Sequence, residues 1–384
     1  VKYQVTCLTP TLVGDGRKLA PIDYMVWKDA VNVLDQTRIF RLLSKGPRLE
    51  SYLAQLKKAT KLDFASWGGF AQNYAERRVP FEHASLTALF EKAPPELLFI
   101  PTFASGASGP YLPGTAIKGS LRTGALVSGW KESTTNELAA RFTGERPPRR
   151  PAIAVEEQVL GAGGSDRMRY ASVADSRPVA NDAFQIHLLR VATLQAKPAG
   201  GYSLAWKQSP RGNAARAEDG TPAFAEMAVR GTSFEGAWSE KTYLDGPEVR
   251  KALRWNQPAT RERLFRAAND YAARMLDLHQ TYAESAGLAQ LTAGIAELRK
   301  SLEEARNQRN QQSCLLSIGW GAGFLGKSAL LDTANAEFRK VLQSQTMFQR
   351  AIQSGLPFPK TRRIVFQSNV PAQLPGWVKL QVVD

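Results

Sequence analysis

Two glycine-rich segments carry cations at spacings suited to holding phosphate. In YLPGTAIKGSLRTG the pattern predicts a helix from about Ala116 to Val127. Lys118 and Arg122, four residues apart, share one face of it, while Ile117, Leu121 and Ala125 share a face that can pack on a sheet. Thr115 is placed to cap this helix, Gly114 permits a tight turn, and Gly119 keeps a close approach free of a side chain. Exposed amides at the helix start would add partial positive charge beside the two cations, which together make a seat for a phosphate. A glycine-rich loop with a surface Lys and Arg explains the same letters without a ligand.

The second segment, GWGAGFLGKSALL, satisfies GxxxxGK[ST] through Gly321, Gly326, Lys327 and Ser328, with an apolar strand before it and a helix expected over 328–342. Taken alone, it proposes a nucleotide hydrolase. Such an enzyme also needs an acidic magnesium-holding residue at a strand end and a substantial parallel sheet. Asp332 sits one helical turn past the motif instead, and Phe324 and Leu325 inside the loop suit apolar anchoring. The loop reads better as a clasp for a polymer backbone, with Gly321, Gly323 and Lys327 as its contacts.

Two further clusters are basic. Arg167, Arg169 and Tyr170 follow a GAGGSD turn and suit a basic finger whose aromatic stacks on a base, although a solvated loop accounts for them equally. In PKTRRIVF, Lys360, Arg362 and Arg363 precede and begin a strand. They would supply the rim of a cleft if both glycine loops face it.

No catalytic set, metal site or cofactor is legible. Asp15, Asp175 and His187 are the polar residues available, and nothing in their spacing joins them. His187 lies in the apolar run FQIHLLRV and reads as a core or sheet-face histidine; Asp175 in VADSRP reads as accepting the amides of its own turn. Glu226 is expected to tie a neighbouring loop by hydrogen bonds. His83, His187 and His279 form no metal-spaced pair, and Cys7 and Cys314 lie in apolar runs as small buried hydrophobes.

Fifty Lys plus Arg against 35 Asp plus Glu give a net charge of +15 over 384 residues, which raises the concentration of polyanions around the chain. Apolar residues are 43% of the total, enough for real cores, and the length favours two domains over one. No run of about 18 apolar residues exists to span a bilayer, so no membrane partner is expected. VKYQVTCLTP reads as a strand rather than a leader, and the expected location is the cytoplasm.

Along the chain, 2–8 alternates as a strand and 24–60 mixes strand and helix. Residues 61–98 look mostly helical, and 143–168, rich in Pro, Gly and Arg, reads as an exposed arm or long loop. RYASVADSRPV and AFQIHLLRVATL read as a strand, a turn and a strand. From Arg261 to Gln311 the chain is helical, divided near Gly287, with Leu264, Ala268, Tyr271, Met275 and Leu278 on one packing stripe and a polar tail beyond. Strands follow at 313–319, 361–368 and 377–383. Two blocks of strands and helices suit two β-α-β-β-α-β units.

The segment YLPGTAIKGSLRTGAL, with VTCLTPTLVGDG early, MRYASVADSRPV in the middle, GWGAGFLGKS late and PKTRRIVF near the end, resembles the RAMP superfamily of CRISPR proteins. The order of these blocks is most similar to the type III-A (Csm) effector subunit that caps the complex at the 3′ end of the guide RNA. The resemblance implies an α+β chain of two tandem ferredoxin-like (RRM-like) domains, 1–205 and 206–384, the second with a helical insertion at about 261–311 and a glycine-rich loop at 319–326. It implies that Lys118, Ser120 and Arg122 lie near guide RNA, that the GKS ending is incidental, and that a repeated backbone subunit is the neighbour. It also implies a subunit that does not cut, but supports guide maturation by recruiting cellular nucleases. The alternative is a metal-independent endoribonuclease that processes precursor guide RNA through His187 or His83.

Overall fold

The alternating pattern of KYQVTC makes Lys2–Cys7 a strand that turns Tyr3, Val5 and Cys7 into the core. In the computed structural model, which describes residues 1–46, 48–58, 71–308 and 311–383, this strand is central to a five-stranded antiparallel sheet. Ser233–Glu240 and then Ala171–Val173 lie on one side of it, and Trp377–Val383 and then Ser313–Ser317 on the other.

Lys2–Cys7, the Gly114–Gly129 helix, Ala171–Val173, Ser233–Glu240, the Arg261–Ser285 helix and Trp377–Val383 run β-α-β-β-α-β in chain order. The two helices cross where Gly124 meets Ala268; a Cβ on Gly124 would stand 3.0 Å from the Ala268 Cα. Ile117 and Leu121 are fully buried on the face expected for them.

A second sheet is built on the long strand Phe184–Ala196. Its first half pairs with Ala223–Ala228, its middle with Thr361–Gln367 and its end with Tyr202–Lys207, while Val370–Gln373 extends the far side. One apolar core joins both sheets; within it Phe103 stacks on Phe234 with ring centroids 5.4 Å apart.

The α+β class expected from sequence is the class observed. The expected units 1–205 and 206–384 do not correspond to the sheets, because each sheet takes strands from both sides of residue 205. One β-α-β-β-α-β path can be traced among the described residues, and it runs from the first strand to the last. The reason lies in pairing: Lys2–Cys7 finds its neighbour along its whole length in Trp377–Val383.

The segment expected as an insertion at 261–311 is a layer of the fold. Leu264, Ala268, Tyr271 and Met275 are buried, and Gly287, at φ +67°, separates Arg261–Ser285 from Ala289–Arg306. Asn269, buried within the first of these helices, donates to the Ser313 carbonyl at 3.1 Å and accepts from the Leu315 amide at 3.0 Å. It thereby satisfies backbone groups that the edge strand would leave unpaired. Residues 309–310 of the polar tail lie outside the described residues.

Three other expectations change. Within 61–98, residues 61–70 lie outside the described residues, while Ala75–Pro80 is a strand paired with Ala30–Leu34. Within 143–168, Pro151–Leu160 is a helix with proline at its first turn, where a missing amide costs nothing. The helix expected over 328–342 begins at Ala336, where the Asn335 side chain caps it. Glu132–Thr143, Pro151–Leu160, Ala336–Ser344 and Thr346–Gln353 bury Leu138, Val155, Phe338 and Ile352 in a smaller second core. Among the described residues no helix is long and apolar enough to cross a membrane.

Candidate nucleic-acid interface

The start of the Gly114–Gly129 helix is held from a distance. The Gly114 amide donates to Asp175 Oδ1 at 2.8 Å, and the Leu112 amide donates to Ser176 Oγ at 2.8 Å. Asp175 therefore serves this helix rather than its own turn, and Thr115 sits exposed in the first turn without capping it. A Cβ on Gly114 would lie 2.4 Å from the Val173 carbonyl oxygen, so glycine is required here for close packing. A carboxylate therefore already stands at the helix start where a phosphate seat was expected.

Those cations are compensated in part. Arg122 Nη2 lies 3.5 Å from Glu156 and 3.7 Å from Asp166, and its Nη1 is buried with no partner. Lys118 is half-buried; burial and the nearby Lys241 lower its pKa, against a pull upward from Asp166. Gly119 is exposed, with open space where a Cβ would stand. Ser120 is buried and donates to the Ser317 carbonyl at 3.3 Å, so it joins helix to sheet and does not face solvent. The i to i+4 spacing placed Lys118 and Arg122 correctly on one side, but said nothing of Asp166 or Lys241.

The basic finger is shorter than expected. Asp166 caps a single 3-10 turn at Arg167–Arg169, and the Arg169 guanidinium donates to the Gly164 carbonyl. Tyr170 is buried against Leu244 and Trp255 and offers no face to a base. An aromatic beside apolar neighbours gains more from burial than from waiting in water.

The glycine loop takes backbone shapes that side chains resist, with φ of +74° at Gly319, +106° at Gly321 and +67° at Gly323. Gly319 packs on the Leu12 carbonyl and Gly321 on Pro375. The Trp320 amide donates to the Leu12 carbonyl at 2.7 Å, and the Tyr271 hydroxyl lies against the carbonyls of Leu325 and Ser328. No α-helix starts directly after Lys327; the next begins at Ala336. The Ser328 hydroxyl is occupied in its own turn, donating to the Leu330 carbonyl at 2.7 Å and accepting the Leu330 amide at 3.1 Å. The segment thus matches the phosphate-loop pattern in letters but lacks the helix N-terminus that gives that pattern its chemistry.

Arg362 and Arg363, adjacent in one strand, go opposite ways. Arg362 is buried: its Nε donates to His279 Nδ1 at 3.0 Å, its Nη1 to the Pro359 and Thr361 carbonyls, and its guanidinium covers the Tyr282 ring. Burial lowers its pKa to about 10. It is an anchor whose buried guanidinium also borders the cleft. Arg363 lies over the Trp320 ring, 3.8 Å from the centroid. Lys360 is half-buried, its pKa lowered by burial and by the neighbouring Lys207.

A cleft of about 850 Å³ opens between these elements. The Gly114–Gly129 helix contributes Arg122 and Thr123, the glycine loop contributes Trp320, Gly321, Gly323 and Lys327, and the Thr361–Gln367 strand contributes Arg362 and Arg363. Both glycine-rich segments therefore meet one cleft. Lys118, Arg167, Arg169 and Lys360 stand outside its lining. Sequence reasoning missed Trp320, whose flanking glycines were the available sign that its ring would stand at the cleft, where Arg363 covers it.

The histidines lie apart. His187 is buried in the second sheet with neither ring nitrogen bonded, and burial drives its pKa down to about 4. His279 is buried on Arg362, and His83 is exposed beside Ser85 at 2.8 Å. Both cysteines are free and buried. Among the described residues no group of three or more His, Cys, Asp or Glu stands close enough to hold a metal. Glu226 ties a strand rather than a loop, through Arg77 of Ala75–Pro80.

Antiparallel sheets crossed by helices, with a cleft that carries arginines beside a glycine loop, define an α+β protein of the kind that the motif blocks resemble. The chain belongs to the RAMP superfamily, whose family model matches residues 4–284. Among solved structures it is similar to a chain of a cryo-EM structure of a Csm-crRNA-target RNA ternary complex from a type III-A CRISPR-Cas system, at 19% identity and a TM-score of 0.69, over 99% of this chain and 100% of that one. It is similar also to the crystal structure of T. onnurineus Csm5, at 17% identity and a TM-score of 0.63, over 98% of this chain and 99% of that one. A comparison with curated proteins finds no match.

Proposed function

We propose that this chain is a non-catalytic, guide-RNA-binding subunit that caps a type III-A CRISPR effector complex at the 3′ region of the guide. One observation carries the reading. Arg122, the Gly321–Lys327 loop and Arg363, far apart in sequence, line one cleft in a chain of net charge +15. Cations on a glycine-rich backbone hold phosphates and set register without reading a base code, so selectivity comes from the subunit's place in the assembly. The similarity in fold to chains of Csm complexes supports that place, next to a repeated backbone subunit. The burial of His187 and its low pKa count against it as the base of a processing nuclease.

The test is to incubate the full chain with end-labelled precursor guide RNA, without added nucleases, over a salt series. The expected result is binding that weakens linearly in log salt, with the RNA left intact. Cleavage at one discrete site that copurifies with the chain would establish the processing nuclease instead. No binding at low salt would leave only a structural cap.

A further inference from the structure

The cleft is larger and less polar than a phosphate track requires. Its volume of about 850 Å³ falls in the range of sites that take organic molecules, roughly 300–1,000 Å³. Leu126, Phe324 and Phe338 form an apolar wall. Trp320, with the Arg363 guanidinium 3.8 Å from its ring centroid, forms a flat platform. Arg122, with a buried Nη1 that bonds nothing, and Glu156, a carboxylate acceptor, stand together at the polar edge.

Aromatic rings and guanidinium planes are the surfaces on which proteins receive unstacked bases of single-stranded RNA. An apolar side chain from a protein partner would use the wall, but would leave the platform's charge and the Arg122/Glu156 edge unmatched. A nucleobase matches all three: a π face for the platform, a flat body for the wall, and donors and acceptors on its rim.

We propose that this cleft takes one unstacked nucleobase of the bound RNA, seated on the Trp320/Arg363 platform with its edge toward Arg122 and Glu156. This rests on the RNA-binding reading above and adds a base pocket to it. Because every base has a π face, the pocket fixes position and not sequence.

The experiment compares the full chain's affinity for oligouridine and oligoadenosine with its affinity for an abasic ribose-phosphate chain of the same length. The base-bearing RNAs should bind about 5- to 150-fold more tightly, the range one stacked base supplies. That ratio should collapse toward one in both Trp320→Leu and Arg363→Gln, each checked for native circular dichroism. Photo-crosslinking of 4-thiouridine RNA to the unmodified chain should label the peptide bearing Trp320 and Phe324, a readout that needs no variant. Equal binding of abasic and base-bearing chains would overturn the base pocket and leave the phosphate clamp standing. A ratio that survives in both variants, or crosslinks confined to other peptides, would also overturn it. Failure of every RNA to bind would overturn the clamp and the pocket together.

Discussion

Glu226 and Arg77, 149 residues apart, meet through two parallel hydrogen bonds of 2.7 Å each. Glu226 is 1% exposed, so its charge is out of water, and the fork of the guanidinium supplies what solvent cannot. The pair fastens Ala75–Pro80, which pairs with Ala30–Leu34, to Ala223–Ala228 in the second sheet.

Breaking that pair should be costly. Arg77→Met leaves a buried carboxylate unpaired and is expected to destabilise the fold by about 3–5 kcal/mol. Arg77→Met combined with Glu226→Leu should recover most of the loss, because no lone charge remains. Urea denaturation of the single and double variants measures both, and equal losses in the two would show that packing, not charge, holds the joint.

Two glycines of one helix should behave in opposite ways. Gly114→Ala drives a methyl to 2.4 Å from the Val173 carbonyl oxygen, an overpacking that costs on the order of 3 kcal/mol. Gly119→Ala meets nothing within 4 Å and should stabilise the helix by about 0.5–1 kcal/mol. If RNA runs closely over Gly119, the second variant binds RNA more weakly although it is more stable. Paired melting and binding curves separate the two effects.

Stability should fall in mild acid. His187, with its folded pKa near 4, stays neutral in the native state while an unfolded chain takes up a proton below about 6.5. The unfolded state then binds more protons, so stability is full above about pH 6.5 and is lost as pH falls toward 4. The slope for this residue is about 1.4 kcal/mol per pH unit. His279, pushed down by burial and by Arg362, adds to the loss in the same direction. His187→Leu should remove one such slope from a pH series of denaturation midpoints; an unchanged series would place the titrating group elsewhere.

Exposed and buried cations should part in salt dependence. Lys327 is exposed on the cleft's loop, and Lys327→Ala should reduce the slope of log affinity against log salt by about 0.7, the contribution of one phosphate contact on a single strand. Arg362→Ala should leave that slope unchanged and cost on the order of 2 kcal/mol of stability through its lost hydrogen bonds. A salt titration of both variants beside their melting curves decides the point.

Much of the local structure was legible because it depends on near neighbours. Period-two alternation marked Lys2–Cys7, and the run FQIHLLRVATL marked most of Phe184–Ala196. The stripe from Leu264 to Met275 marked a packing face, and Gly287 the break after it. The arm at 143–168 was misread because Pro151 was counted as loop punctuation when it opens a helix. That the sheets draw strands from both sides of residue 205 was not legible for a different reason: partners such as Lys2–Cys7 and Trp377–Val383 are joined only by sheet hydrogen bonds, which leave no trace in local spacing.

By itself, the sequence determined the α+β class, the basic excess, the two glycine-rich segments, and the motif blocks that carry the family resemblance. The tertiary structure decided how each of the cations is held. Arg362 and Arg363 show why, since successive side chains of a strand point to opposite faces. One is enclosed by His279 and Tyr282, and the other lies over Trp320 at the cleft. Their letters are the same, and only the helix that packs behind the strand makes one a buried anchor while the other lies over an aromatic ring.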